Sequence, residues 1–289
     1  MKENITGHTV MLALIGSPVS HSGSPAMYNY SFDRLGLDFA YAAYDVKEED
    51  TKAAFDAMRL FRMRGMNVTM PCKIEAARLV DELSPAARLC GAVNTVVNED
   101  GKLCGYNTDG EGFVRNLKAN GLEVRDKKAV VIGAGGAAAA IQAQLALDGI
   151  LELSMFNMKD RFFPRLEEMQ EKLSKETPEV QTGVYDLEDA SVLREKIESA
   201  DYLINATVLG MKPREEMSVI TDRSLFRKGL VVCDTVYNPV ETKLLREAAE
   251  EGAETIDGRG MLLYQGVVAF SLYTGQEMPV EEVKERFFS

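Results

Sequence analysis

The chain has 289 residues, enough for two domains each with its own core, and is 46% hydrophobic without any run long enough to cross a bilayer. Its formal net charge of −12 is spread along the chain, a field that repels nucleic acid and anionic membrane, so neither is expected as a partner. Four cysteines (Cys72, Cys90, Cys104, Cys233) make no C-x-x-C pair and no disulfide framework, and two histidines leave little from which to build a metal site. No metal is expected, and a reducing cytoplasm is the expected compartment. The stretch Met1-Lys-Glu-Asn-Ile-Thr-Gly7 lacks the charged-then-apolar layout of a signal peptide.

In chain order, Val10–Ile15 is predicted as a buried strand, and Ser24-Pro25 as the start of a helix to Leu35, with serine as N-cap and proline in the first turn. Phe39–Val46 alternates like a strand, and Glu48–Leu60 has helical apolar spacing. Met66–Met70 is a further strand stopped by Pro71. A helix over Lys73–Glu82 follows, then strands at Ala92–Asn98 and Leu103–Tyr106 around Glu99-Asp100-Gly101. This alternation implies a mostly parallel sheet. After Thr108-Asp109-Gly110 a helix runs to Ala119, where Gly121 ends it. Strands are then predicted at Leu151–Asn157, Val180–Tyr185, Tyr202–Ala206, Leu230–Asp234 and Glu254–Ile256. Helices are predicted at Arg161–Lys175 and Met261–Thr274, the last apolar enough to pack on the first domain.

The second α/β unit opens with Ala129-Val-Val-Ile-Gly-Ala-Gly-Gly-Ala-Ala-Ala-Ala140, a strand, a glycine turn and an alanine-rich helix. Such a turn offers backbone N–H groups and the positive end of a helix dipole to a pyrophosphate, and small alanines let the helix lie close to the sheet. Gly133, Ala134, Gly135, Gly136 and Ala137 are the candidate cofactor-binding residues here. The spacing departs from the usual fingerprint, with Gly136 directly after Gly135 and Ala138 at the third glycine position. The same pattern also occurs in α/β proteins that bind no dinucleotide.

Three further groups have the right chemistry for a site. Lys73 follows a strand and a proline at the start of a helix, where the dipole disfavours its charge and biases it toward giving up a proton. Read from the residues alone, it is equally an ordinary solvated lysine. Asp109 suits a carboxylate partner that would hold an ammonium and oppose that bias, or a cap on the helix beginning at Gly110. Ser22 and Ser24 place two hydroxyls before a helix N-terminus, which fits a substrate carboxylate or a simple cap.

His21-Ser-Gly-Ser-Pro25, Asn67-Val-Thr-Met-Pro-Cys-Lys73, Gly91-Ala-Val-Asn-Thr95 and Gly105-Tyr-Asn-Thr-Asp-Gly110, in this order, resemble the shikimate/quinate dehydrogenase family. Tyr237-Asn-Pro239, Asp257-Gly-Arg-Gly260 and Tyr264-Gln265-Gly266 extend the resemblance over essentially the whole chain. The resemblance implies two α/β domains with the active site in the cleft between them. One is a discontinuous substrate-binding domain, residues 1–110 completed by 260–289; the other is a Rossmann-type dinucleotide-binding domain, residues 111–259. It implies reversible NAD(P)-dependent oxidation of the C3 hydroxyl of shikimate or quinate, with Lys73 and Asp109 catalytic. Ser22 and Ser24 would bind the carboxylate, and Thr69, Asn94, Asp109 and Gln265 the ring hydroxyls. Tyr41 and Tyr237 would line the site. Thr207, Val208, Thr235, Tyr237 and Gly258 join the expected cofactor residues; Val208 stands where one branch has a lysine, and Cys72 where relatives carry phenylalanine or asparagine.

Cofactor choice is expected just after the second strand of the nucleotide domain, at Phe156-Asn157-Met158-Lys159-Asp160-Arg161-Phe162-Phe163. There an acidic side chain hydrogen-bonds ribose hydroxyls and an arginine accommodates a 2′-phosphate. NADP-preferring relatives show Asn-Arg-Thr or Asn-Arg-Ser, and the NAD-accepting quinate/shikimate branch shows Asn-Arg-Arg-Asp before Phe-Phe, which this stretch is similar to. Asn157, Lys159 and Asp160 are the expected contacts. NAD is the expected cofactor, with NADP possible through Lys159; Asp160 also reads as the acid that starts the next helix. Two other functions stay open: a non-catalytic nucleotide-binding sensor, and a dehydrogenase of another hydroxylated carboxylic acid. Monomer and homodimer are both compatible with the sequence.

Overall fold

The computed structural model describes residues 5–288; Met1–Asn4, part of the stretch read for a leader, and Ser289 lie outside the described residues. Contacts divide the chain into two compact units. The first comprises the residues up to Thr108 together with those from Gln265 onward, and the second comprises Asp109–Tyr264.

The first unit holds strands β1 (Val10–Gly16), β2 (Phe39–Asp45), β3 (Gly65–Val68), β4 (Glu82–Leu83), β5 (Thr95–Glu99) and β6 (Lys102–Tyr106). Helices α1 (Ser24–Leu35), α2 (Thr51–Leu60), α3 (Lys73–Leu79) and α4 (Pro85–Cys90) alternate with them. The sheet order is β2-β1-β3-β5-β6-β4. Three of its five pairings are parallel, as expected, and two are antiparallel. The tight turn at Glu99-Asp100-Gly101 makes β5 and β6 an antiparallel hairpin, and β5 also runs against β3.

Three local expectations change for physical reasons. Ser24 is the first residue of α1 and not its N-cap. Gly23 takes that place and its carbonyl accepts from Met27, while Ser22 Oγ accepts the Ser24 amide at 3.3 Å. The helix at Lys73 stops at Leu79 because Val80 turns extended and Asp81 is captured by β6, exchanging bonds with the Leu103 backbone. The strand at Met66 ends at Val68, and Thr69–Cys72 forms the turn into α3.

The second unit alternates strand and helix. Its elements are α5 (starting at Thr108, to Ala119), β7 (Lys128–Ile132), α6 (Gly136–Leu147), β8 (Glu152–Asn157), α7 (Phe163–Glu176) and β9 (Gln181–Asp186). After these come α8 (Ala190–Ser199), β10 (Tyr202–Asn205), β11 (Val231–Asp234), α9 (Lys243–Glu250) and β12 (Glu254–Ile256). All pairs in the sheet are parallel, in the order β12-β11-β10-β7-β8-β9. Strands β7 to β9 step outward one way and β10 to β12 the other, so the chain reverses direction between β7 and β10. In such sheets ligands bind beyond the carboxyl ends at that reversal. The core is built from strand residues buried on both faces, such as Val130, Ile132 and Leu203 on one and Val131, Met155 and Ile204 on the other.

Helix α10 (Gly258–Thr274) begins in the second unit and ends in the first, where α11 (Val280–Phe287) follows it. In the first unit Tyr28 donates to the Gly266 carbonyl at 3.0 Å, Phe32 stacks on Phe270 with centroids 5.4 Å apart, and Gly65 lies under Tyr273, whose ring a Cβ at Gly65 would meet at 2.2 Å. Glycine is required there by close approach.

Candidate active site

In the first unit the strand registers place the segments that carry several of the expected substrate residues at neighbouring strand ends. Ile15 of β1 stands beside Val68 of β3, Asn67 of β3 opposite Thr95 of β5, and Thr95 opposite Tyr106 of β6. The ends of β1, β3 and β6 and the start of β5 therefore lie in a row. From that row leave the Ser17–Gly23 loop with Ser22, which leads to Ser24 at the start of α1, the Thr69–Cys72 turn into Lys73, Asn94, and the Asn107-Thr108 step into Asp109.

Hydrogen bonds tie these segments together. The Thr69 amide donates to the Ile15 carbonyl (2.8 Å), Val68 to Asn94 (2.8 Å), Val93 to the Lys73 carbonyl (2.9 Å) and Asn94 to Tyr106 (3.0 Å). The Asn94 side chain, 4% exposed, accepts the Thr108 amide at 2.8 Å and donates to the Thr108 hydroxyl at 3.0 Å. Asp109 is the next residue. The backbone of Lys73 is thus one residue from Asn94, which fixes the residue before Asp109.

Gly16 makes this close approach feasible. A Cβ there would lie 2.3 Å from Thr69 Cγ2 and 2.8 Å from the Met70 carbonyl, and its φ of +149° suits only glycine.

Tyr41, expected to line the site, is 4% exposed, stacked on Tyr28 at 4.5 Å and donating to Asn67 Oδ1 at 2.8 Å. Burial pushes both phenols well above their ordinary range, so Tyr41 stays a donor. It supports the row from beneath. Asn67 passes the contact on, donating to Thr95 Oγ1 at 3.1 Å, which donates to Asn94 Oδ1 at 3.0 Å. Cys72 is fully buried, gives its thiol to the Val46 carbonyl at 3.4 Å and is pushed up by burial, so it packs rather than reacts. Gln265 lies on α10 beside Gly266.

In the second unit the glycine turn follows β7. Gly133 has a φ of +130° and a Cβ there would meet the Ala206 carbonyl at 2.6 Å. Gly135 caps α6, Gly136 begins it, and Ala134 and Ala137 flank them. A Cβ at Gly135 or Gly136 would meet no protein atom within 4 Å, so open space stands before the helix. That is the cradle an anionic pyrophosphate needs at a helix start. Gly110 lies so near α6 that a Cβ would meet the Ala140 carbonyl at 2.2 Å, so α5 and α6 touch through small residues.

At the end of β8, Asp160 Oδ1 accepts from Asn157 Nδ2 (3.0 Å) and from the Phe162 amide (2.8 Å), while Lys159 lies 3.8 Å from Asp186. Thr207 and the exposed Val208 follow β10. Thr235 and Tyr237, the latter half-exposed, follow β11. Gly258 opens α10 against the Thr235 and Val236 carbonyls, 2.5 and 2.6 Å from where its Cβ would stand. The expected cofactor residues thus fall at carboxyl ends of β7, β8, β10 and β11, except Gly258, which packs on the last of these loops.

Sequence reasoning did not name Asn205, Asp234 and Thr242, a buried polar cluster of this unit. Among the described residues no cluster of three or more His, Cys, Asp or Glu is suited to a metal, and no helix is long and apolar enough to cross a membrane.

Residues 14–96 match the model of the shikimate dehydrogenase substrate binding domain, and residues 258–286 that of the shikimate 5′-dehydrogenase C-terminal domain. The chain is 47% identical to the shikimate dehydrogenase (NADP(+)) of Streptococcus uberis over 100% of this chain and 99% of that one. It is 45% identical to the quinate/shikimate dehydrogenase of Escherichia coli, over 98% of each. Its fold matches the crystal structure of shikimate 5-dehydrogenase from Listeria monocytogenes in complex with shikimate and NAD, with a TM-score of 0.96, 45% identity and coverage of 99% and 98%. Fold and relatives together define the class, an NAD(P)-dependent oxidoreductase acting on a CH–OH group. The chain belongs to the shikimate dehydrogenase family.

Proposed function

We propose that this chain catalyses the reversible oxidation of the C3 hydroxyl of shikimate to the ketone of 3-dehydroshikimate, with NAD preferred over NADP. The observation that carries this reading is the row of strand ends in the first unit. Neighbouring strand ends there carry the segments of Ser22, Thr69, Lys73 and Asn94, and Asn94 bonds the residue that precedes Asp109.

In this reading Ser22 and Ser24, with the first amides of α1, receive the substrate carboxylate. Thr69, Asn94, Asp109 and Gln265 hold ring hydroxyls and so fix which carbon faces the cofactor. A bound nicotinamide dinucleotide supplies the hydride acceptor. Lys73 takes the hydroxyl proton as the carbonyl forms and returns it in the reverse direction, and Asp109 holds the ammonium in place.

The preference for NAD rests on Asp160. Its carboxylate is oriented by two hydrogen bonds at the end of β8, so it can meet a ribose hydroxyl or repel a 2′-phosphate without further ordering. Lys159 would have to be ordered to pair with a phosphate. Its exposed contact with Asp186 is of a kind worth about 0–1 kcal/mol, so it decides little.

The experiment is absorbance at the reduced-nicotinamide band on mixing protein, shikimate and NAD or NADP, with quinate in a parallel arm. Reduction with shikimate, faster with NAD, is expected. No turnover with shikimate, quinate or, in reverse, dehydroshikimate would overturn the proposal, and a higher kcat/KM with NADP would overturn its cofactor part.

A further inference from the structure

Asp234 ends β11 with its side chain sealed from solvent, 2% exposed. One oxygen accepts from Asn205 Nδ2 (3.0 Å) and from the Val236 amide (2.9 Å), and the other from the Thr242 hydroxyl (2.7 Å). All three donors are neutral. A buried carboxylate satisfied in this way is expensive compared with an apolar side chain of similar size, so packing does not account for it.

What the carboxylate does is join three segments. Asn205, held by Asp234, accepts the Thr207 amide (3.0 Å) and hydroxyl (2.8 Å) and donates to the Leu209 carbonyl (3.1 Å), so it shapes the loop after β10. The bond to Val236 shapes the loop after β11 that carries Thr235 and Tyr237, and the Thr235 amide returns to the Asn205 carbonyl at 3.0 Å. Thr242 is the N-cap of α9, and a Cβ at Gly210 would come within 3.2 Å of its methyl group. The two loops leave neighbouring parallel strands next to β7, on the side of the sheet away from β8 and Asp160.

We infer that Asp234 is a positioning residue for the dinucleotide: it holds the loops after β10 and β11 in the shape that receives the half of the molecule lying beyond the glycine turn. The inference rests on reading the second unit as the dinucleotide site. Asp234 touches neither ligand nor reacting atoms. It acts through Asn205, Thr207 and Val236.

The test is the affinity of the whole enzyme for NADH and for ADP, without substrate, by fluorescence and calorimetry. ADP carries the half held by the glycine turn and the end of β8. Asp234→Asn keeps the shape and one acceptor oxygen but presents an amide to Thr242. It is expected to weaken NADH binding about tenfold and ADP binding less than about twofold. Thr242→Val, which drops one donor, is expected to weaken NADH severalfold, and Thr242→Ser to restore it. That threonine pair decides the matter if Asp234→Asn does not fold. Equal weakening of NADH and ADP would mean general disruption and would overturn the inference, as would unchanged NADH affinity in Thr242→Val. Failure of the wild-type enzyme to bind NADH, NADPH and ADP would instead remove the underlying reading of the second unit, and the inference with it.

Discussion

Thr108 reaches one atom of Asn94 twice. Its backbone amide (2.8 Å) and its hydroxyl (3.2 Å) both approach Asn94 Oδ1, and the Asn94 amide nitrogen meets the same hydroxyl at 3.0 Å. The orientation of a buried amide at the sheet edge is thereby set by the residue immediately before Asp109. Thr108→Val keeps the amide bond and removes the hydroxyl partner, a change that costs about 1–3 kcal/mol at a buried site. The expected result is a lower Tm together with a raised KM for shikimate, read by thermal unfolding and steady-state kinetics.

Lys73→Ala tests the proton-transfer role. Loss of a positioned acid–base group lowers kcat by roughly 10²–10⁴-fold. Affinity for NADH, measured by fluorescence titration, is expected to stay within about twofold, since the candidate dinucleotide residues belong to the other unit. Normal turnover would make the lysine structural.

Ser24 separates two explanations that the sequence leaves entangled. It lies inside α1 with no side-chain capping bond, so Ser24→Ala is expected to leave Tm nearly unchanged while raising KM for shikimate. Ser22 does accept the Ser24 amide, so Ser22→Ala should show both a small loss of Tm and a raised KM. A drop in Tm with unchanged KM for Ser24→Ala would return this residue to a structural role.

Asp160→Ser removes the carboxylate at the end of β8 and leaves a hydroxyl that can still bond the Phe162 amide. The ratio of kcat/KM for NADP to that for NAD should rise by about tenfold or more, the effect of relieving one charge repulsion and losing one ribose bond. An unchanged ratio would place cofactor choice elsewhere.

Asp234 gives a pH dependence with a definite sign. Burial outweighs its three hydrogen bonds and pushes the carboxyl up to about 6 from the ordinary 3.8. The folded chain therefore holds this proton at pH values where the unfolded chain has released it. The resulting stabilisation is complete below about pH 4 and is lost as pH rises through about 6. Asp234→Asn has no such titration, so the variant should gain on the wild type between about pH 4 and pH 6, by on the order of 2–3 kcal/mol, and run parallel to it above about pH 7. Urea unfolding of both proteins at about pH 3.5, 5 and 7.5, which bracket that range, measures the gap. A gap constant across this range would contradict the assignment.

The α/β class was legible because an apolar run such as Val130–Ile132 stops abruptly at glycine, and a run of helix-forming residues follows it. The reversal of β5 was not. A strand's direction is set by its partner, and nothing within Thr95–Glu99 records it. Short α4 escaped although Ser84-Pro85 carries a start signal that the structure uses, with Ser84 Oγ accepting the Ala87 amide. Helix α9 escaped in the same way, behind its cap Thr242. For the site, the chemistry of Lys73, Ser22 and Ser24 could be argued from residue type and position alone. The Asn205–Asp234 bond could not, because its partners are 29 residues apart and each alone reads as the polar end of a strand. The burial of Tyr41 against Tyr28 was hidden for a related reason: an aromatic ring in an alternating strand gives no sign of which face is covered.

Helix α10 has a consequence for how the molecule is made. Tyr273 covers part of the β2-β1-β3-β5-β6-β4 sheet at Gly65, and Phe270 stacks on Phe32 of α1. As the nascent chain leaves the ribosome, those strands emerge first and wait for rings encoded after the whole of the second unit. Asp109–Tyr264 is contiguous and needs no such delay. Domains generally acquire structure from the N-terminal end during translation; here the later-synthesised body is the one able to finish first.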